Sequence, residues 1–402
     1  MYFNRKRLRL YLCGLIILQI VTCFRHLPQV RAGWLDVRIY YTAGHMVHTG
    51  HLYDYGAEGA AQNALVSPMR YALPFMAPPY TALLFVPFSL VSFRAAYLAF
   101  FVVNLCFCVA CVLIMRPYDS ALRARWGSLT LLLFLSFMPL GVTLGVGQVS
   151  VLLLLLYCSS FASVQSGRPF LAGVLLSLAL IKFQIALPVA LLFLLWRQWR
   201  FVAGFASGAV ALTLISIRIT GVRGFLYYLP SIFSIDASRE AKYLSEAKYL
   251  SDPEQMPNLY GFFHAINSGK WGFVATIICS LLVVIWAATR KPSLPLALLA
   301  GLLVSYHLYF YDLTLLLLPI SLVFNAEFKA GVNRAALYAS LFMVGLPLFE
   351  FLIALGFYHL FVIPVAILFV SLGQVGAIRS VEIATWSDRH SDVDQTAVIS
   401  TT

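Results

Sequence analysis

The sequence is poor in charge. Of 402 residues, 16 are Asp or Glu and 28 are Lys or Arg, so charged side chains make up 11%. A soluble domain carries about 25%, so this chain cannot build an ordinary water-facing surface. Glycine-rich phosphate loops, dinucleotide fingerprints and paired carboxylates at metal-ligand spacing are missing as well. The expectation is therefore no cofactor and no metal. Segments of alternating apolar and polar residues, the mark of a membrane β-barrel, are also absent. The seven cysteines, Cys13, Cys23, Cys106, Cys108, Cys111, Cys158 and Cys279, all lie in apolar runs. No His or acidic cluster accompanies them, so they read as packing residues rather than a disulfide framework or a metal centre. His45, His48 and His51 lack a second carboxylate at ligand spacing and are read the same way.

What the chain has is hydrophobic surface: 61% of its residues, with a mean hydropathy of +0.85. Repeated apolar runs of roughly 15–25 residues read as transmembrane helices. The fold class expected is an all-α polytopic membrane protein. The net charge of +12 sits mainly in short loops, where it sets topology and meets anionic headgroups. No basic tract with interleaved aromatics points to nucleic acid, and membrane lipids are the expected surroundings.

Arg5, Lys6, Arg7 and Arg9 precede an apolar stretch to Phe24 in the manner of a signal peptide, but no small-residue cleavage site follows. It reads as an uncleaved first span with its basic end in the cytosol. A long outside loop, about 25–92, comes next. It holds two amphipathic stretches lying along the membrane surface: Asp36–His48, stopped by Gly50, and Tyr53–Leu65, with Asp54 as its N-cap. The run Tyr80–Val91 is about a dozen residues long and is interrupted by Pro87, which suits a re-entrant or interfacial helix. Parity supports that reading. If this run does not cross, the loops with Arg116, Arg123 and Arg125, with Arg168, with Arg197 and Arg200, with Arg290 and Lys291, and with Lys329 and Arg334 are all cytosolic.

The remaining spans are about 94–115, 126–144, 148–165, 170–184, 185–197, 201–219, 271–289, 293–310, 312–326, 335–356 and 359–377, giving about twelve. The pair 170–184 and 185–197 also reads as one kinked segment. A second outside loop, about 220–270, carries Arg223, Asp236, Arg239 and a tandem EAKYLS hexapeptide, Glu240–Ser251. Residues 1–377 form a single integral-membrane domain. Residues 378–402 read as a cytosolic disordered tail. The protein is expected in the cell membrane, with both termini cytosolic.

On this topology, polar residues far apart in sequence gather at the outside face. They are Asp36 and Arg38 in the first loop, Gly147 and Gln148, Lys182 and Gln184, Asn258 and Tyr260, and Ser305, His307, Tyr309, Tyr311 and Asp312. Ionisable groups near a bilayer are costly and point to function. Each has a plainer reading. Asp36 or Asp312 can cap a helix, Lys182 can snorkel to headgroups, His307 can bond a backbone carbonyl, Gln148 can start a helix, and Arg38 can pair with Asp36 or a headgroup. Glu350, within a span, reads as an interhelical hydrogen bond.

Some of these residues stand in recognisable company. Trp34-Leu-Asp36-Val-Arg-Ile-Tyr-Tyr41-Thr-Ala-Gly44, then Gly50-His-Leu-Tyr53-Asp54, resembles the first-loop signature of the family 87 glycosyltransferases. Pro78-Pro79-Tyr-Thr-Ala-Leu-Leu-Phe-Val-Pro87 is similar to the family's proline-bounded helix. Gly147-Gln148-Val-Ser150, Ala172-Gly173 leading to Lys182-Phe-Gln184, and Ser305-Tyr-His307 leading to Tyr311-Asp312-Leu are similar to later motifs, and the resemblance covers about residues 30–325. Ala77 and Tyr306 depart from it: relatives commonly have an aromatic residue before the Pro-Pro pair and a proline between the Ser and His. The resemblance implies a GT-C fold and transfer of a sugar from a polyprenyl-phosphate donor, with Asp36 as general base on the extracytoplasmic side. The family includes mannosyltransferases of the cell envelope.

Such a transfer needs a carboxylate to take the acceptor hydroxyl's proton. It also needs fixed cations or donors for the leaving phosphate, for which Lys182, Arg38 and His307 are the candidates. Tyr40, Tyr41, Gln148, Gln184, Asn258, Tyr311 and Asp312 are the candidate substrate contacts. Apolar side chains of the spans would hold the prenyl chain, and the acceptor would be a lipid or glycan hydroxyl. Only one well-placed outside carboxylate is evident, which suggests inversion at the anomeric carbon. A different class remains open from the residues alone: a transporter or lipid-linked glycan flippase. It predicts inverted repeats with broken helices near the midplane, which the sequence does not display.

Overall fold

A computed structural model describes residues 5–25, 33, 35–69, 73–126, 129–233, 253–330, 333–344, 352–353 and 355–374. Trp34, Tyr71, Asp236, Arg239, the EAKYLS repeat, Glu350 and the expected tail lie outside the described residues. Among the described residues every regular element is helical. Five segments are long and apolar enough to cross a membrane: Phe93–Met115, Pro169–Leu195, Trp199–Leu226, Lys270–Ala288 and Phe310–Glu327. Six shorter apolar helices accompany them. Apolar side chains cover the outside of the molecule, as lipid contact demands. On Lys270–Ala288 alone, Trp271, Phe273, Ile277, Ile278, Leu281, Leu282 and Ile285 are all exposed.

Three helical hairpins, each broken at polar residues, organise the described part of the bundle. The first rises through Leu129–Ser136 and Met138–Val146, turns at Gly147-Gln148, and returns as Ser150–Gln165. The second rises through Pro169–Ser177 and a 3-10 turn, Leu178–Lys182, then returns as Phe183–Leu195. By length this second segment is one span, yet Lys182 has φ −120° and ψ 72°, outside helical values. Helix packing shows that the chain turns back there. Added Cβ atoms at Gly204 and Gly173 would meet Phe170 and Phe201, and one at Gly208 would meet Ser177. Helices Pro169–Ser177 and Trp199–Phe233 therefore run in parallel, so the stretch between them returns to its starting level. The third hairpin rises as Leu294–Val304, loops through Ser305–Tyr309, and descends through Phe310–Leu316 and Leu317–Ala330.

The three tips meet at one end of the bundle, the apex. Tyr97 near the start of Phe93–Met115 bonds the Gly145 carbonyl at 3.0 Å there. At the opposite end, Tyr118 reaches Ala162, and the Asn325 side-chain oxygen accepts from the amides of Ala121 and Leu122 at 2.9 and 3.2 Å.

The first-loop helices begin and end where the sequence signals place them. Val37–Met46 gives way to a turn at Gly50, whose φ is +76°. Tyr55–Leu65 starts at Asp54, whose carboxylate accepts from the Ala57 amide at 3.1 Å. Helix Val37–Met46 packs within the fold. Eight of its residues are buried, including Arg38, Tyr40 and Tyr41. The reason is close packing: Gly44 lets the helix press on Pro79–Ser89, where a Cβ would stand 2.6 Å from the Phe85 carbonyl oxygen. Helix Pro79–Ser89 stays at the apex end, with the Tyr80 hydroxyl donating to the Leu178 carbonyl at 3.4 Å.

Candidate functional site

The apex holds two carboxylates and one ammonium, brought together from three segments. Asp36 sits at the N-terminus of Val37–Met46, but its side chain makes no capping bond. Instead its Oδ2 accepts from the Gln148 side-chain amide at 2.7 Å. Gly147 makes this possible. Its φ of +73° ends helix Met138–Val146 in the left-handed region, where glycine is the low-cost residue. A Cβ there would lie 2.6 Å from Val37 Cβ. The bare backbone thus brings the Gln148 turn against the residue that follows Asp36. Gln148 Oε1 in turn accepts from the Tyr40 hydroxyl at 3.0 Å.

Asp312 is held differently. It is 1% exposed. Its Oδ1 accepts a hydrogen bond from Lys182 Nζ and another from Ser150 Oγ at 2.7 Å. Its Oδ2 accepts from the Tyr309 amide at 3.2 Å, closing a capping box on the 3-10 turn Phe310–Leu316. Lys182 does not snorkel to headgroups. It is buried, paired with Asp312, and sits 4.5 Å from the centre of the Tyr311 ring. Tyr311 lies within electrostatic reach of both Asp36 and Asp312.

Burial raises the Asp36 carboxyl above its ordinary value. The Gln148 bond and the Lys182 charge pull it back, while Asp312 adds to the rise. Burial and the Lys182 charge bring His307 down to about 4, against the opposing pull of Asp312. At neutral pH the imidazole is therefore uncharged. His307 sits edge-on to Tyr309 at 4.8 Å, and its carbonyl accepts from Gln184 Nε2 at 3.3 Å.

Three expected site residues do not join this group. The Arg38 guanidinium bonds the Gly33 carbonyl, the Gln62 carbonyl, and the hydroxyl and carbonyl of Ser67. It does not pair with Asp36, and these bonds brace the first loop. Tyr41 bonds the Val91 carbonyl at 2.8 Å. Asn258 is fully engaged: it caps Leu259–Ile266 through the Gly261 amide at 2.8 Å and donates to the Ser305 carbonyl at 2.7 Å. Ser150 joins the site although the sequence does not single it out. Its only signal was its place two residues after Gln148, and a serine near a helix start is common. Among the described residues, no group of His, Cys, Asp and Glu could hold a metal.

Apolar helices wrapped around a polar centre define a membrane-associated helical protein with an enzyme-like site at one end. Residues 75–319 match the model for glycosyltransferase family 87. The chain belongs to that family and is a glycosyltransferase. The family sets aside the transport reading. The match begins at residue 75, within the first loop, so it spans Gln148, Lys182, His307 and Asp312 but not Asp36. No curated protein and no solved structure matches the chain.

Proposed function

We propose that this glycosyltransferase is a GT-C-type enzyme of the cell membrane, with about twelve spans and both termini cytosolic. It moves a sugar from a polyprenyl-phosphate donor to an acceptor hydroxyl at the extracytoplasmic face. Orientation follows from charge: Arg116, Arg123, Arg168, Arg197, Arg200 and Arg290 lie at the end opposite the apex, and basic loops stay in the cytosol. The acceptor is a lipid or glycan.

The observation that carries the mechanism is the contrast between the two carboxylates. Asp312 has hydrogen bonds on both oxygens, with Lys182 against it. Asp36 uses Oδ2 for Gln148. Its Oδ1 makes no hydrogen bond among the described residues, and it is not sealed from outside. The carboxylate with an uncommitted oxygen is the one placed to accept a proton. Asp36 takes the proton as the acceptor oxygen attacks the anomeric carbon. The bond from that carbon to the phosphate oxygen breaks, and polyprenyl phosphate leaves with the electron pair. Attack from the face opposite the phosphate inverts the centre.

Lys182 and neutral His307 stabilise the departing phosphate, and Tyr40, Gln148, Gln184, Tyr311 and Asp312 shape the pocket around it. One ammonium already shared with a carboxylate suits a monophosphate leaving group better than a pyrophosphate. Arg38, Tyr41 and Asn258 hold the scaffold. The test is donor choice. Purified enzyme in liposomes should release polyprenyl phosphate from a radiolabelled polyprenyl-phosphate sugar in the presence of an envelope lipid extract. It should leave nucleotide sugars untouched. Transfer directly from nucleotide sugars would overturn the donor assignment.

A further inference from the structure

Gln148 bridges two groups in a way that fixes its own orientation. Its Oε1 accepts from the Tyr40 hydroxyl at 3.0 Å and lies 3.4 Å from the Val149 amide nitrogen. An amide N–H can only donate, so the end of the side chain facing Val149 must be the oxygen. The NH2 group then faces Asp36 Oδ2 at 2.7 Å. Turning the amide over would set a carbonyl oxygen against a carboxylate and two N–H donors against each other. Gln148 is 5% exposed and Tyr40 is 7% exposed, so water does not readily replace either bond. Behind Tyr40 the Phe85 ring stacks at 4.7 Å and the Phe75 ring stands edge-on at 6.4 Å, which locks the phenol in place.

We propose that Tyr40 and Gln148 are positioning residues that hold Asp36 by one oxygen and leave the other facing the acceptor. This rests on the reading of Asp36 as the base. The Tyr40 hydroxyl orients the Gln148 amide, and the amide orients the carboxylate. The arrangement does not need Gln148 to touch substrate. It also predicts an effect on the proton affinity of Asp36, because the amide bond favours the charged carboxylate. The other groups that face Asp36 are Lys182, which favours its charged form, and Asp312, which opposes it. The Tyr40 and Tyr311 hydroxyls lie nearby.

The experiment reads the proton directly and needs no substrate. Full-length protein with 13C-labelled aspartate is titrated in detergent, and the infrared carboxyl band of Asp36 is assigned by its loss in Asp36→Asn. Gln148→Met should raise the Asp36 midpoint by about one pH unit, the scale of one hydrogen bond to a carboxylate. Tyr40→Phe removes a single oxygen and is expected to fold. It should raise the midpoint by a smaller amount, because the amide is then free to turn. Tyr41→Phe, whose hydroxyl bonds the Val91 carbonyl instead, should leave it unchanged. An Asp36 midpoint unmoved in Tyr40→Phe and in whatever Gln148→Met protein folds would overturn the proposal. Transfer assays separate the two readings. If midpoints move while Asp36→Asn still transfers sugar, the positioning stands and the base falls. If midpoints stay while Asp36→Asn is dead, the reverse holds.

Discussion

Two buried aspartate–cation groups sit at opposite ends of the bundle, and they differ in composition. At the basic end, Asp119 pairs with Arg123 one helical turn away at 2.9 Å, and Arg123 also bonds the Arg116 carbonyl. One carboxylate meets one guanidinium, both from the same short stretch, and the pair holds a turn. At the apex, Asp36 and Asp312 share one Lys182, and the residues come from segments up to about 276 positions apart in sequence. A balanced local pair stabilises a loop. An unbalanced cluster assembled from distant segments carries a carboxylate with nothing to neutralise it fully, and that is costly unless it has a use.

The comparison can be broken most strongly at Asp312. Asp312→Asn strands the buried Lys182 ammonium, and breaking such a pair costs about 3–5 kcal/mol. Thermal unfolding in detergent should show a large drop, and a shift no bigger than that of Asp119→Asn would erase the distinction. Next is Gly147→Ala, which puts a Cβ into the left-handed region and against Val37. It should cost about 2 kcal/mol and reduce transfer by displacing Gln148, read as matched losses in stability and rate.

Third is pH. A general base works without its proton, and burial raises the Asp36 carboxyl. The acid limb of the transfer rate should therefore lie above the ordinary aspartate value of 3.8, with about tenfold loss per unit below its midpoint. His307, held down to about 4, adds no limb between pH 6 and 7. A limb there that disappears in His307→Gln would show that the ring does carry charge. The smallest effect belongs to the basic end. Arg123 is 32% exposed on its side chain, so solvent screens the pair. Asp119→Asn should cost about 1 kcal/mol and leave the transfer rate of the folded protein unchanged.

Much of this architecture was legible in the residues, for stated reasons. Long apolar runs give helices, Asp54 gives a cap, and Gly50 gives a stop, because these are local choices of the backbone. Asp36, Gln148, Lys182, His307, Tyr311 and Asp312 stood out because polar groups are rare and expensive in such surroundings. The sequence did not reveal what each polar group bonds to. Arg38, Tyr41 and Asn258 look as functional as their neighbours, yet each is committed to backbone carbonyls, and carbonyls leave no trace in a residue pattern. The burial of Val37–Met46 was hidden for a related reason. Its polar face reads as water-facing, but Arg38 is buried among first-loop oxygens, and only the packing at Gly44 and Phe85 discloses that. Ser150 was passed over because a hydroxyl near a helix start seldom means more than a local bond.

The most direct measurement of the central claim is single-turnover transfer by Asp36→Asn in liposomes, with donor binding measured on the same preparation. Asparagine keeps the shape and can still hydrogen-bond Gln148, but it cannot take a proton. The account predicts donor binding close to wild type and a transfer rate lower by about 10²–10⁴-fold, the usual contribution of a general base. A rate equal to wild type would contradict it.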